Sequence, residues 1–348
     1  DKTRARALAA DAGVPVPPGT AGPATLAEAE AFAREHGPVM LKAVAGGGGR
    51  GMRVVADPAG MAAAYERCRS EALASFGSGD LYAEKHVPRA RHIEVQIAGD
   101  GTGAAVHLWE RDCSVQRRHQ KLIEVAPAPA LPRKVRDALL DAALRMASRV
   151  RYDGIGTFEF LVAGEEYWFL EANPRLQGEH TVTEEITGVD LVKTQIRLAL
   201  GEDLAAVGLG GGPPRASGCA VQVRVNAETI DADGAPHPRA GTLTAFAPPS
   251  GPGVRVDTCG HVGHRTSPRY DPLLAKVVAR AEDLPSAAAR AHGALGEFEI
   301  AGVPTSIPLL QGVLRHPDFT SGAFDTSFLA DHLPELLDSE HRRYYVET

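Results

Sequence analysis

Two short apolar segments, the first containing Glu159 and the second Glu171, restrict the possible fold of this chain more than any other feature. Segments 156–162 and 166–173 have the alternating composition of β-strands and are separated by a turn at residues 163–165. A β-hairpin is therefore predicted. If its turn is centred on Glu165, residues whose numbers sum to 330 face each other, and Glu159 lies opposite Glu171.

The two faces of this hairpin are expected to differ in chemistry. Alternation places Thr157, Glu159, Glu171 and Asn173 on one face, and Phe158, Phe160, Trp168 and Leu170 on the other. Two opposed carboxylates repel each other unless a cation lies between them. With Asn173 as a third oxygen ligand, the glutamates suit Mg²⁺ or Mn²⁺ bridging to substrate phosphates. An acid/base pair of glycosidase type and a purely structural pair are the alternatives.

A dense polar group follows the hairpin. Arg175, Gln177, Glu179 and His180 lie within six residues of one another, directly after Pro174. Such a concentration of polar side chains at the end of an apolar strand is typical of a functional site. The segment after it, 184–200, has apolar residues at helical spacing and is predicted to form one helix.

A glycine-rich loop, 46–51, separates two apolar runs, 38–43 and 51–55, which together predict a second hairpin. The loop lacks the lysine and serine or threonine of a P-loop, and a strand rather than a helix follows it. It is interpreted as a flap whose backbone amides close over phosphates, with a flexible connection as the alternative. Lys42 precedes the flap and would contribute a charge to the same phosphates.

A polar run, 111–127, lies between two predicted strands. A solvated loop is the simplest interpretation of such a run. Gln116, His119 and Lys121 alternate roughly as strand neighbours do, and they offer one ligand three kinds of hydrogen-bonding group. A ligand-binding role is therefore favoured.

Alternation of helical and strand patterns over the rest of the chain predicts an α+β fold. Helices are predicted at 4–12, 25–36 (with Thr25 and Glu28 as a capping box), from Asp57 through Cys68, and at 132–149, 285–298, 304–314 and 326–336, and strands at 81–87, 91–98, 105–110, 218–228, 253–257 and 270–278.

Composition limits the class of protein. The formal net charge is −7, so no basic surface for nucleic acid or an anionic membrane is expected. No apolar run approaches the length of a membrane span, and the first residues do not resemble a signal peptide. Four cysteines without metal-type spacing are expected to be free thiols. A cytoplasmic location is predicted.

Several motifs in combination resemble the biotin carboxylase family. They are the flap 42–53 (Lys-Ala-Val-Ala-Gly-Gly-Gly-Gly-Arg-Gly-Met-Arg), the run 110–127, Gly-Thr-Phe-Glu-Phe at 156–160, and 171–191, which begins Glu-Ala-Asn-Pro-Arg-Leu-Gln-Gly-Glu-His. Their order and spacing match the family over nearly the whole chain. The resemblance implies an ATP-grasp fold, with a glycine-rich flap, an antiparallel core and a biotin carboxylase C-terminal region. It also implies an ATP-dependent ligase that uses bicarbonate to carboxylate biotin held on a separate carrier domain or subunit.

The resemblance assigns roles residue by residue. It implies ATP contacts for Lys2, Lys42, Gly47, Gly48, Gly49, Arg50, Gly51, Met52, Glu84, Lys85, Val87, His92, Gln116, His119 and Leu161. Glu159, Glu171 and Asn173 would hold Mg²⁺ or Mn²⁺, and Arg175, Gln177 and Gly178 would bind bicarbonate. Lys121 would lie between phosphate and bicarbonate, Glu179 would be the general base, and Arg255 would stabilise the biotin ureido oxygen.

The resemblance also implies an organisation and two departures from the family. Residues 1–13 would be a linker helix, 14–86 a lid, 87–334 the core with the C-terminal region, and 335–348 a tail. The family usually begins with a further subdomain of roughly one hundred residues, and the numbered chain starts just after it. Gly178 stands where the family has valine, and Gln222 replaces a common glutamate.

The expected partners are a biotin carrier domain, a carboxyltransferase and further copies of the chain. The leading interpretation is the biotin carboxylase component of an acyl-CoA carboxylase, active in fatty acid metabolism. The alternatives are the corresponding part of pyruvate or urea carboxylase, and a non-catalytic nucleotide-binding or assembly domain. An unrelated ATP-grasp ligase is disfavoured by Arg255 and the Glu-His-Thr segment at 179–181.

Overall fold

The computed structural model of the protein describes residues 2–46, 51–232 and 234–338. The flap residues Gly47, Gly48, Gly49 and Arg50 lie outside the described residues, as does the predicted tail from residue 339 onward. Among the described residues, no helix combines the length and apolar character needed to cross a bilayer.

Helices and strands alternate along the chain, and antiparallel pairing joins the strands. The elements up to residue 173 are α1 Lys2–Asp11, α2 Leu26–His36, β1 Val39–Ala43, β2 Met52–Val55, α3 Met61–Phe76, β3 Leu81–Lys85, β4 Arg91–Asp100, β5 Ala105–Arg117, β6 Gln120–Ala126, α4 Arg133–Arg149, β7 Asp153–Ala163 and β8 Glu166–Asn173. Those that follow are α5 His180–Thr187, α6 Leu191–Ala199, β9 Cys219–Asn226, β10 Glu228–Ile230, β11 Pro236–Pro238, β12 Gly241–Thr242, β13 Ala245–Ala247, β14 Val254–Thr258, β15 Arg265–Thr266, β16 Leu273–Ala281, α7 Leu284–Glu297, β17 Glu299–Ala301, α8 Ile307–Arg315, α9 Pro317–Ser321 and α10 Phe328–Asp338.

A small unit is built on the sheet β2-β1-β3, against which α2 and α3 pack. Its apolar side chains form a hydrophobic cluster of their own, with Leu41, Met61 and Leu81 fully buried. The predicted capping box at the start of α2 is confirmed, because Thr25 and Glu28 exchange both cap hydrogen bonds. Asp57 caps a 3₁₀ turn at Pro58–Gly60, and α3 begins only after that turn.

An eight-stranded sheet forms the core, in the order β14-β16-β9-β6-β5-β4-β7-β8. One hydrophobic cluster joins α4 to the β4, β7 and β8 end of the sheet, and another joins α7 and α8 to the β6, β9 and β16 end. The central strands β4, β5 and β7 all contribute polar side chains to the buried interior, among them Glu94, Arg111 and Glu159. The sheet therefore positions a polar cluster inside an otherwise apolar core.

The hairpin of β7 and β8 contains a β-bulge that the sequence did not indicate. Ala163 pairs with Glu166, so the turn has two residues rather than the three expected. The register shifts between Glu159 and Phe160, with Leu170 as the extra residue, and Glu159 pairs with Glu171 as predicted.

This bulge changes which β8 side chains face the core. Phe169, which pairs with Phe160, is fully buried in the same hydrophobic cluster as Phe158 and Phe160. Trp168 and Leu170 are only half-buried, so their predicted place in the apolar face was wrong.

Two other expectations are corrected. The polar run from residue 111 does not lie between strands, which also excludes the solvated-loop alternative: residues 111–117 continue β5 in the interior of the sheet, and Arg111 and Asp112 are fully buried. The predicted helix 184–200 is two helices, because Gly188 adopts a left-handed conformation (φ 72°) that ends α5, and Asp190 caps α6.

Candidate active site

The predicted metal ligand Glu159 is the most highly connected carboxylate of the site. Its Oε2 lies 2.8 Å from His92 Nε2. Its Oε1 accepts hydrogen bonds from Asn173 (2.8 Å) and Gln177 (3.0 Å) and lies 3.4 Å from the Lys121 ammonium. Burial alone would raise the pKa of Glu159, but Lys121 and then His92 outweigh burial and hold this pKa well below its usual value. Glu159 is therefore an anion at neutral pH.

Glu171 lies beside Glu159 on the paired strand. Its Oε2 is 2.5 Å from the Lys2 ammonium, and its Oε1 is 3.3 Å from Asn173 Nδ2. Asn173 thus bridges the two carboxylates from one amide group. Rotation about the last side-chain bond exchanges the positions of the amide nitrogen and oxygen. The same amide can therefore direct its oxygen, instead of its nitrogen, toward the space between the two carboxylates.

The three predicted metal ligands are therefore together, and their chemistry fits a hard divalent cation. Two carboxylates and one amide oxygen are the ligands that Mg²⁺ and Mn²⁺ take in proteins. Lys2 was expected to contact ATP phosphate, whereas here it neutralises Glu171. A metal ion bound at this position would compete with Lys2 for the Glu171 carboxylate.

Glu179, the predicted general base, is buried at the start of α5 between two cations. Lys121 Nζ lies 2.5 Å from its Oε1, and Arg224 Nη2 lies 2.9 Å from its Oε2. Burial acts to raise the pKa of Glu179, but Lys121 and then Arg224 outweigh it and lower the pKa to about 2. In this arrangement the carboxylate is anionic and a weak base.

Lys121 connects the predicted base Glu179 to the predicted metal ligand Glu159. Its ammonium lies among Glu94 (2.6 Å), Glu159 and Glu179, and this side chain is largely buried. Burial would lower the pKa of Lys121, but the neighbouring acidic groups outweigh it and raise the pKa well above its usual value. A permanently charged Lys121 can attract an anionic substrate to the space between the base and the metal ligands.

Arg111 lies in the interior of the sheet and contacts the residues that hold these groups. No role for it was predicted from the sequence. Its guanidinium is fully buried and donates to Glu94 (2.6 Å), Gln96 (2.7 Å), Thr183 (2.9 Å) and Thr157 (3.3 Å). Glu94 in turn holds Lys121, and Thr183 belongs to the helix that begins beside Glu179. Arg111 therefore fixes the positions of both reactive groups relative to the sheet.

The residues expected to bind nucleotide lie in two places. Lys42 on β1 pairs with Glu84 on β3, and Arg6 donates to the same carboxylate at 2.9 Å. Burial lowers the pKa of Lys42, while Glu84 opposes that effect. Met52 pairs with Lys42 across the hairpin. A side chain at Gly51 (φ 65°) would come within 2.9 Å of Ala43, so the narrow entrance to the flap requires glycine there.

The remaining nucleotide residues lie near the junction of the small unit and the core. Lys85 is exposed at the end of β3, and Val87 is half-buried two residues later. His92 pairs with Leu161 across the sheet, and its Nδ1 accepts a hydrogen bond from Gln116 (2.7 Å). Its Nε2 therefore carries the proton that faces Glu159.

Gln116, His119 and Lys121 are not successive neighbours on one strand. Gln116 pairs with Lys121 across β5 and β6, and Arg118 and His119 form the turn between them. Both turn residues have positive φ (50° and 66°), a conformation that side chains other than glycine and asparagine adopt at a cost. His119 thus lies at the tip of a strained hairpin.

The bicarbonate residues form a short loop after β8. Arg175 is exposed: its backbone N–H donates to the Asn173 carbonyl at 2.9 Å, and its guanidinium donates to the Leu176 carbonyl at 3.3 Å. Gln177 is buried, and its Oε1 has no hydrogen-bond donor among the described residues. Such a buried acceptor fits a ligand that carries an O–H group, as bicarbonate does. The Gly178 carbonyl accepts from Lys276 at 2.9 Å.

The arginine predicted to stabilise biotin, Arg255, is not brought to Glu179. It pairs with Glu184 (2.7 Å) and Asp257 (2.8 Å). Arg224 on β9 instead contacts Glu179 and also donates to Glu124 at 2.7 Å. Gln222, two residues before it on the same face, donates to Glu124 at 2.8 Å. Arg224 lies in the predicted strand 218–228, but the sequence indicates no role for it, because only the sheet order places β9 beside β6.

The fold agrees with comparisons to known proteins. The family described as "Carbamoyl-phosphate synthase L chain, ATP binding domain" matches residues 1–207, and "Biotin carboxylase C-terminal domain" matches residues 222–331. Pyruvate carboxylase 1 of Caenorhabditis elegans is 51% identical over 97% of this chain, which spans 29% of that protein.

Solved structures give the same result. The biotin carboxylase domain of Hydrogenobacter thermophilus 2-oxoglutarate carboxylase, described as a dimer in complex with MgADP, ADP and bicarbonate, is 40% identical with a TM-score of 0.91, and covers 97% of this chain and 74% of that one. A single-chain, multi-domain long-chain acyl-CoA carboxylase is 42% identical with a TM-score of 0.83, and covers 99% of this chain and 33% of that one.

These matches establish the fold and the class. The chain belongs to the biotin carboxylase family, which consists of ATP-dependent ligases of the ATP-grasp fold. The predicted fold class and enzyme class are confirmed. The preference for an acyl-CoA carboxylase is less well supported than its alternative, since pyruvate carboxylases match this chain at 51% identity in Caenorhabditis elegans and 46% in Bacillus subtilis.

Proposed function

We propose that this protein uses ATP and bicarbonate to carboxylate carrier-linked biotin. The observation that carries the proposal is Lys121, whose ammonium contacts both the predicted base Glu179 and the predicted metal ligand Glu159. Bicarbonate is a poor nucleophile toward phosphate, so a site for this reaction needs a base and a phosphate-binding group within one ligand's reach. Lys121 joins the two.

The proposed first step forms carboxyphosphate. A bicarbonate oxygen attacks the γ-phosphorus of ATP, its proton passes to Glu179 Oε1 or Oε2, and the bond to ADP breaks. Lys42 and Lys121 neutralise the phosphoryl oxygens, while the amide of Gln177 orients bicarbonate. Carboxyphosphate then releases CO₂ beside biotin, and the phosphate accepts the proton from biotin N1 as that nitrogen bonds to CO₂.

The basicity of Glu179 is expected to depend on substrate. Lys121 and Arg224 hold its pKa at about 2 when they pair with it. An anion that binds between these cations neutralises part of their positive charge. The negative charge of the anion beside Glu179 then raises the pKa of Glu179. Bicarbonate and ATP would in this way convert an ion-paired carboxylate into an effective base.

Glu159, Glu171 and Asn173 would hold Mg²⁺ or Mn²⁺, which supplies charge neutralisation for the transferred phosphoryl group. For this, the Lys2 ammonium must leave Glu171, and its natural new position is on the phosphates that the resemblance assigns to it. The small unit at residues 14–86 is proposed as the lid, a role supported by its separate hydrophobic cluster.

The whole protein is proposed to be a pyruvate carboxylase rather than an acyl-CoA carboxylase. The support is that pyruvate carboxylases of several organisms match 97% of this chain at 44% to 51% identity. A biotin carrier domain, a carboxyltransferase and a dimeric arrangement are the partners that this assignment requires. A cytoplasmic location stays a prediction from composition.

The test is bicarbonate-dependent ATP hydrolysis with free biotin as acceptor, measured on the chain within its native polypeptide. We expect hydrolysis to require bicarbonate and a divalent cation, and Glu179→Gln to lower kcat by roughly 10²- to 10⁴-fold, as expected for loss of a general base. Glu165→Gln, an exposed carboxylate on the same hairpin, is the control. Nucleotide binding without any hydrolysis would favour the non-catalytic alternative. Transfer to pyruvate rather than acetyl- or propionyl-CoA would identify the acceptor.

A further inference from the structure

A second cluster of metal-ligand side chains lies on helices that contribute nothing to the candidate active site. It consists of His316, Asp318, His332 and Glu335, from the junction of α8 with α9 and from α10. We propose that these four residues form a transition-metal site for a Zn²⁺-like divalent ion that fastens α10 to the α8–α9 junction.

Three donor atoms already converge. His332 and Glu335 are three residues apart on α10 and therefore share a face. The Glu335 Oε1 atom lies 2.5 Å from His332 Nδ1 and 2.9 Å from His316 Nε2. The two imidazole centroids are 4.1 Å apart. Tetrahedral ligands about 2.0–2.1 Å from zinc are separated by roughly 3.3 Å. Small outward movements of these donors would therefore make room for the ion.

Asp318 supplies the outer support that metal-bound histidines usually have. Its Oδ2 lies 3.3 Å from His332 Nε2, the ring nitrogen that faces away from Glu335. With the ion on Nδ1, the Nε2 proton of His332 would be donated to Asp318, which fixes both the tautomer and the ring orientation. Two imidazoles, one carboxylate and a water molecule form a common zinc coordination set.

The surroundings favour a solvent-accessible and moderately strong site. The imidazole of His316 is 13% exposed and that of His332 is 26% exposed, whereas Glu335 is 58% exposed and forms the rim. His316 Nδ1 accepts a hydrogen bond from the Asp318 backbone N–H at 3.1 Å, which caps α9. Ligation through Nε2 places the ring proton on Nδ1 and ends this cap, so part of the binding free energy is lost there.

Binding is expected to release protons. Both nitrogens of His332 face carboxylates. Zinc binds an imidazole nitrogen that carries no proton, so the ion would displace any proton on His332 Nδ1 and its affinity should fall as the pH is lowered.

Zinc titration of the purified protein in excess Mg²⁺ tests the proposal without any measurement of activity. We expect His332→Gln and Glu335→Gln each to remove one bound Zn²⁺ equivalent and to abolish the rise in Tm that Zn²⁺ causes. His316→Asn should also remove it while preserving the α9 cap, because asparagine caps well. Asp318→Asn should weaken binding roughly 10- to 100-fold.

His264→Gln alters a half-buried histidine whose ring meets that of His261 edge to face, far from the proposed site in the sequence, and serves as the control, with unchanged zinc binding expected. Zinc bound elsewhere, at the active-site acids or at a thiol, would remain in all these variants. If wild type binds no zinc, or if His332→Gln and His316→Asn bind as much as wild type with the same affinity, the proposal is wrong. X-ray absorption of the zinc-loaded protein should show two imidazole ligands, and a spectrum with none would equally overturn it.

Discussion

Lys121 and Glu179 form a 2.5 Å ion pair in the interior of the protein, and a second cation, Arg224, closes the other side of the same carboxylate. A base held in this way is stable but unreactive. The pair therefore links the stability of the protein to its proposed catalytic chemistry.

Acid stability should depend on Glu179. Its pKa in the folded protein is about 2, below the usual 4.5, so its contribution is fully present above about pH 4.5 and is lost as pH falls toward 2. Glu179→Gln should lower the free energy of unfolding at pH 7 by on the order of a few kcal/mol and make its dependence on pH between 5 and 3 shallower. Urea unfolding at several pH values measures this. Equal slopes for wild type and variant would contradict it.

The two arginines near the site should respond differently to substitution. Arg224→Met removes a cation in contact with Glu179 and should lower kcat/KM by roughly 10²-fold or more. Arg255→Met removes ion pairs with Glu184 and Asp257 and should lower it by less than about tenfold. Steady-state kinetics with free biotin compares them. A larger loss for Arg255→Met would return the biotin role to that residue.

Arg111→Met should destabilise the protein strongly. The change leaves the buried Glu94 without its guanidinium partner and should cost about 3–5 kcal/mol of unfolding free energy. Glu94→Gln together with Arg111→Met should cost less than the sum of the single changes, because no buried charge is then left without its partner. Arg145→Met, an exposed arginine, is the control. Thermal unfolding of the four variants tests this coupling.

Gly178→Val should be tolerated. A Cβ atom there would lie 3.7 Å from the Arg224 guanidinium, an ordinary contact, and Gly178 does not adopt the left-handed conformation that requires glycine. Valine has fewer backbone conformations than glycine in the unfolded chain, so the free energy of unfolding should be unchanged or higher by up to about 1 kcal/mol. Tm should accordingly be unchanged or slightly higher. Bicarbonate-dependent activity should be retained. A clear loss of Tm would show that the loop needs glycine.

Lys2→Met should increase the affinity for Mn²⁺ without nucleotide. Lys2 and the metal compete for the Glu171 carboxylate, so removing the ammonium leaves that carboxylate to the ion. Electron paramagnetic resonance of free Mn²⁺ measures the affinity, and Lys134→Met, which alters an exposed lysine, is the control. Equal affinities of wild type and Lys2→Met would rule out the competition.

The parts of the fold that local sequence patterns determine were predictable. The capping box at Thr25 depends on residues three apart in the chain, and the cap geometry confirms it. The helix boundary at Gly188 was missed because one glycine within an apolar periodic segment is a weak signal. The interior position of residues 111–117 was also missed, since charged side chains are buried there only because other strands supply their partners.

The site residues that belong to a recognisable sequence motif could be predicted. The site residues that are brought together only by the order of the strands in the sheet could not. Glu159 and Glu171 were paired correctly, but the expected turn was one residue too long and the bulge at Leu170 compensated for that error. The contact of Arg224 with Glu179 joins residues 45 apart in the sequence, and that of Arg111 with Thr183 joins residues 72 apart, so no local pattern encodes them.

The bulge at Leu170 also separates the paired glutamates from the turn within one hairpin. The pairing of Glu159 with Glu94 on β4 and with Glu171 on β8 lies on the far side of the bulge from the Gly164–Glu165 turn. The turn therefore does not set the spacing of the metal carboxylates. The exposed tip of the turn is a suitable attachment point for a fluorophore or an affinity tag, because the bulge would accommodate a change in turn geometry without moving the glutamates.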